Sequence, residues 1–115
     1  MGKPTKEEII LLFLEDPKKL ADEIYNKRVP KSAKIRTLIC DLGDPMCAYA
    51  YAKYVDKKQT DETRQVTCKD FRFAYYYARW VDKSPRSDTR QGASKDSYWK
   101  EKYEEWEKEC SLKKT

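Results

Sequence analysis

Residues 48–70 read AYAYAKYVDKKQTDETRQVTCKD, and residues 74–96 read AYYYARWVDKSPRSDTRQGASKD. Aligned at an offset of 26, residues 44–69 and 70–95 share 12 identities without a gap: Asp44/Asp70, Ala48/Ala74, Tyr49/Tyr75, Tyr51/Tyr77, Ala52/Ala78, Val55/Val81, Asp56/Asp82, Lys57/Lys83, Thr63/Thr89, Arg64/Arg90, Gln65/Gln91 and Lys69/Lys95. Lys53/Arg79 and Tyr54/Trp80 add conservative exchanges. Tandem units of roughly 20–50 residues build arrays in which each unit completes its neighbour's core.

Each unit opens with a helix. Ala48, Tyr51, Ala52 and Val55 fall at i, i+3, i+4 and i+7, and Ala74, Tyr77, Ala78 and Val81 repeat the spacing. Phe73 and Trp80 are expected to widen the second stripe. Its alanines let the helix approach a neighbour closely. Asp44-Pro45 supplies an N-cap carboxylate followed by a proline at N1, and Asp70 and Asp96 hold the same place. A shorter second helix follows, capped by Thr60 or Asp61 in the earlier copy. In the later copy Ser84-Pro85 is the expected start and Gly92 the expected residue just past the end.

The frame continues outward. Asp16-Pro17 precedes Leu20 and Ile24 at a spacing of 28 from Asp44-Pro45, and Ile35, Leu38, Ile39 and Leu42 form a partner stripe closed by Gly43. Asp96 opens a last helix carrying Trp99, Tyr103, Trp106 and Cys110 on one side. Thr5-Lys6-Glu7-Glu8 is a capping box ahead of an apolar run. The expected organisation is a single domain: an opening helix over 1–15, a degenerate repeat over 16–43, repeats over 44–69 and 70–95, and a capping helix over 96–115. The expected fold is all-α, a short right-handed α-solenoid of tandem helix pairs with about 26–28 residues per repeat.

Asp44 to Val55, DPMCAYAYAKYV, resembles the DPxxAYxYAxxV helical repeats found in proteins of bacteriophages and giant viruses, and Asp70 to Val81 matches except that Phe71 replaces the proline. The resemblance is strong over the central half and weak over 16–43. It implies an all-helical viral accessory protein and no chemistry, and the lack of a signal-peptide pattern or a run of membrane-spanning length makes the host cytoplasm the expected location.

Composition narrows the functional classes. Charged residues make up 39% of the chain and mean hydropathy is −1.01, yet aromatics reach 13%, which speaks against disorder. The net charge is +5, and the excess sits in the repeats: residues 44–95 hold 11 basic against 7 acidic side chains, residues 96–115 hold 5 against 6. That balance suits an anionic partner but falls short of a dedicated nucleic-acid binder. No histidine and only three glycines leave no imidazole-based triad, no imidazole zinc site and no glycine-rich phosphate loop. Cys40, Cys47, Cys68 and Cys110 lack CxxC spacing and read as small hydrophobes with free thiols. Asp56 and Asp82, each following the repeat valine, are expected at solvated helix ends. No enzyme activity, cofactor, metal, signal peptide or membrane span is expected.

Two recurring constellations are candidates for binding. Tyr49 with Lys53, and Tyr75 with Arg79 and Arg72, lie on the far side of the first helices. Arg36, Arg64 and Arg90 recur once per unit in the second helices. Each set has two readings, packing between units or a ladder for a partner, since tyrosine and arginine anchor interfaces. The leading expectation is a protein-binding module, monomeric or weakly homo-oligomeric, that modulates or inhibits a host or host-defence protein. The alternatives are a nucleic-acid binder with a basic and aromatic face, and a structural virion or assembly component.

Overall fold

The first helices begin where the repeated aspartates stand. The computed structural model describes residues 16–113, and the opening helix expected over 1–15 lies outside them. Among the described residues all regular structure is helical: α1 (Pro17–Tyr25), α2 (Ala33–Leu42), α3 (Pro45–Ala50), α4 (Asp61–Thr67), α5 (Phe71–Tyr77), α6 (Ser87–Ala93) and α7 (Ser97–Lys113). Asp44 accepts from the Cys47 backbone N–H at 3.0 Å, Asp70 from Phe73 at 3.1 Å, and Asp96 from Trp99 at 3.1 Å. Asp16 accepts likewise from Lys19 at 3.3 Å. Each side chain satisfies at least one of the donors a helix start leaves open, Asp70 also taking the Arg72 N–H, typically ~1 kcal/mol per cap. Thr60 caps α4, and Gly43 closes α2 with a φ of 78°.

Helices adjacent in the repeat pattern are adjacent in space. α1, α3, α5 and α7 pack side by side in chain order, while α2, α4 and α6 each pack on the first helix that follows. The molecule measures 60 × 27 × 20 Å along its principal axes. Its core is aliphatic at one end, with Leu20, Ile24, Ile35 and Ile39 around Tyr51. It passes through Tyr49, Ala52, Phe73 and Tyr77 into an aromatic end built from Tyr75, Tyr103 and Trp106 on Ala74 and Ala78. Ala48, Ala52, Ala74 and Ala78 are fully buried, which is the close approach their spacing predicts.

Two expectations fail for one reason. α3 and α5 do not finish as α-helices: both run on as π-helical segments, Tyr51–Asp56 and Ala78–Asp82. The wider i→i+5 winding turns less per residue, so later side chains fall behind the α-helical phase. Asp56 and Asp82 thereby rotate inward and are buried, not solvated. Trp80 rotates outward and is 47% exposed instead of widening the buried stripe.

Both segments end on a lysine in the left-handed region, Lys57 (φ 54°) and Lys83 (φ 59°), and Lys27 (φ 58°) takes that conformation after α1. For a residue with a Cβ this costs roughly 1–2 kcal/mol. Part of that is offset by the attraction of a cation to a helix C-terminus, about 0.3–1 kcal/mol.

The second helix of the later copy also departs from expectation. α6 starts at Ser87 with Arg86 in the cap position, not at Ser84-Pro85. Gly92 lies inside α6 rather than beyond it. Its role is proximity: a Cβ there would come within 2.7 Å of the Cys68 carbonyl and 2.8 Å of the Ala74 Cβ.

Candidate binding surface

Most of the repeated side chains meet at the joints between units. The tyrosine at the Tyr51, Tyr77 and Tyr103 position of successive units reaches back to the start of the preceding second helix. Tyr77 Oη accepts from the Thr60 backbone N–H at 3.0 Å, lies 3.0 Å from the Thr60 carbonyl and contacts Thr63 Oγ1 at 2.7 Å. Tyr103 repeats the pattern on Arg86 and Thr89 at 2.9, 3.1 and 2.7 Å. Tyr51 does so on Ser32 N–H at 3.0 Å and the carbonyls of Pro30 and Ser32 at 3.0 and 3.1 Å. All three rings are fully buried. This clasp fixes the start of the second helix, and it explains why α6 ignores the local Ser-Pro signal.

The arginine series reaches forward. Arg36 grips Asp56 through Nε and Nη2. Arg64 holds Asp82 through Nε at 3.0 Å and Nη2 at 2.8 Å, and also contacts Gln59 and Asp61. Arg90 holds Glu107 through Nε at 2.9 Å and Nη2. These are two-pronged guanidinium–carboxylate pairs. The middle one is the deepest, with side chains 3% and 0% exposed against 46% and 24% for the last. The hydrogen bond to Asp82 drives the Arg64 pKa up, and burial opposes it more weakly.

Tyr49 and Tyr75 also lie between first helices. The Tyr49 ring packs tilted against Phe73 and Tyr76, with centroids 5.7 and 6.0 Å away. Tyr75 sits 5.6 Å from Trp99 and 6.3 Å from Trp106. Both are buried, and burial pushes the Tyr49 hydroxyl well above its ordinary pKa. Arg72 stands exposed at the start of α5 with its guanidinium 4.8 Å from the Phe73 ring.

Only Lys53 and Arg79 among the expected site residues converge on open surface. Their meeting point is Trp80. Lys53 Nζ lies 5.4 Å and the Arg79 guanidinium 4.9 Å from its ring centroid. Lys53 also lies over Tyr54 at 5.1 Å, and Arg79 donates to Tyr75 Oη. Such contacts are worth about 0.5–1 kcal/mol each at exposed sites.

Beside Trp80 opens a cleft of about 170 Å³, lined by Ala52, Lys53, Lys57, Lys58, Trp80 and Lys83 among others, with no carboxylate. The nearest acids in sequence, Asp56 and Asp82, are the ones bound by Arg36 and Arg64. Lys57, Lys58 and Lys83 make no ion pair or side-chain hydrogen bond among the described residues. One unit on, the matching groove is mixed in charge: Arg79 and Lys102 face Glu105 and Glu109 beside the buried Trp106. The unbalanced positive charge is therefore local to the ends of α3 and α5.

Sequence reasoning did not single out Trp80, Lys57, Lys58 and Lys83 for this surface. The signal was present, because Lys57 and Lys83 recur at a turn where glycine would be the easier residue.

Among the described residues no group of three or more Cys, Asp or Glu side chains is placed to hold a metal ion, and no helix is long and apolar enough to cross a membrane. Cys40, Cys47, Cys68 and Cys110 are free thiols. Comparison with protein-family models, with curated proteins and with solved structures finds no match to the chain.

Proposed function

We propose that this chain is a non-enzymatic binding module, a short right-handed α-solenoid that engages a protein partner through the basic cleft at the ends of α3 and α5. The supporting observation is an asymmetry in how the repeat uses its polar groups. The repeat tyrosine hydroxyls are bonded to backbone groups and threonines and the buried aspartates to arginines, whereas Lys57, Lys58 and Lys83 line a cleft beside an exposed Trp80 with no ion-pair partner among the described residues. Tryptophan beside cations is a favoured anchor for a partner. Arg72 is exposed at the start of α5, whereas Arg90, half exposed on α6, is held by Glu107. The resemblance to viral helical repeats adds the expectation that the partner is a host or host-defence protein.

The test is a comparison of captures. Immobilised wild-type chain should retain a partner from host lysate that Lys57→Glu/Lys83→Glu loses while its circular-dichroism spectrum and melting temperature stay unchanged. Equal capture by both removes the cleft from the account.

The same positive charge favours a second reading, nucleic-acid binding. That reading requires a mobility shift that weakens steeply between low and moderate salt as counterions are released.

A further inference from the structure

The lysines at the ends of the first helices carry more than net charge. Lys27, Lys57 and Lys83 each hold a left-handed backbone conformation that glycine would adopt without steric cost, and each side chain is exposed. A residue type repeated within the chain against its backbone preference, with no side-chain partner for Lys57 or Lys83 among the described residues, points to a use outside the chain. Trp80 narrows the kind of partner. A single-stranded nucleic acid needs successive open aromatic faces on which bases stack. Of the side chains at the Trp80 position of each unit, Trp106 is buried and Tyr54 is half-buried, its ring 5.0 Å from Tyr25. The Trp80 ring itself already carries Lys53 and Arg79. A base would have to displace one of those cations, whereas a carboxylate would be attracted by both. The basic side chains in the cleft itself are lysines, which act as point charges and do not impose the two-pronged geometry that arginine brings to phosphate.

We infer that the cleft is a docking ledge for an acidic polypeptide segment, whose carboxylates sit among Lys53, Lys57, Lys58 and Lys83 with Trp80 as the apolar contact. This rests on the protein-binding reading above and adds the chemistry of what binds.

The test uses the full chain, a fluorescein-labelled glutamate-rich peptide, a deoxythymidine oligomer of equal charge, and the double variant Lys57→Gly/Lys83→Gly. Glycine removes the charges and relieves the backbone, so the variant should melt higher than wild type yet bind the peptide at least tenfold more weakly. A purely structural role for these lysines could not produce that opposition. Unchanged peptide binding in the variant, or no binding by wild type, overturns the inference, as does tighter binding of the oligomer. Concentration-dependent self-association that the variant loses also overturns it, by making a second copy the occupant. Partner capture that the charge-reversed variant loses, together with no affinity for the peptide, would defeat this inference alone. Capture insensitive to charge reversal would defeat the reading beneath it.

Discussion

The phenol oxygen of Tyr77 lies 3.0 Å from the backbone nitrogen of Thr60, across 17 residues of chain and one joint between units. A single hydroxyl there serves a backbone donor, a backbone carbonyl and the Thr63 hydroxyl, with the Tyr77 and Thr63 side chains fully buried. Tyr77→Phe keeps the ring and removes that partner, leaving buried polar groups short of hydrogen bonds. The expected loss is about 1–3 kcal/mol, read as a lower urea midpoint with an unchanged slope.

The pair formed by Arg64 and Asp82 behaves differently, because each charge is buried with the other. Removing one partner, as in Arg64→Leu or Asp82→Leu, should cost about 3–5 kcal/mol by stranding its mate. The double variant Arg64→Leu/Asp82→Leu should recover much of that loss. A double-mutant cycle measures the coupling, and additive single effects would show that the charges are independent.

At Gly92 two effects oppose each other. Alanine is the better helix former by about 1 kcal/mol. Its methyl group would meet the Cys68 carbonyl and the Ala74 Cβ, both closer than 3 Å. Overpacking of this kind costs about 1–3 kcal/mol, and one of the two atoms is backbone, with little room to yield. Gly92→Ala should therefore lower the melting temperature despite its propensity.

Stability should be level across neutral pH and fall in alkali. With no histidine, the side chain that ordinarily titrates between about pH 6 and 8 is absent. Burial raises the Cys40 thiol from 9.0 to about 12 and Cys68 from 9.0 to about 11, and it raises Cys47, Tyr49, Tyr51, Tyr77 and Tyr103 above their ordinary values. The folded chain thus keeps protons that the unfolded chain releases first. The contribution of the two thiols is complete below pH 9.0 and is lost as pH rises towards about 12. Melting curves at pH 7 and pH 10.5 check the sign.

What could be read from the residues divides along physical lines. Ala48, Ala52, Ala74 and Ala78 declared the helices and their close faces, because small residues recurring at helical spacing mark a side packed at short range. The cap aspartates were equally plain. The arginine series was visible, but not its partners, since Asp56 and Asp82 turn inward only through π-helical winding that no residue type announces. Tyr51 and Tyr77 stand out as members of the repeated stripe, whereas their hydroxyl contacts depend on a neighbouring unit. Thr60 shows where local cap chemistry and the tertiary clasp agree. Arg86 shows the clasp prevailing over a Ser-Pro start. The lysine cleft left only the recurrence of Lys57 and Lys83 as a trace, because a turn without glycine sends no ordinary turn signal.

The most direct test of the account follows the chain's own amide and indole N–H resonances while the glutamate-rich peptide is added. The account predicts shifts confined to the Trp80 indole and the amides around Lys53, Lys57, Lys58 and Lys83, with the buried Trp106 indole unmoved. Shifts centred elsewhere, or no shift at all, would contradict the division between closed joints and an open basic cleft.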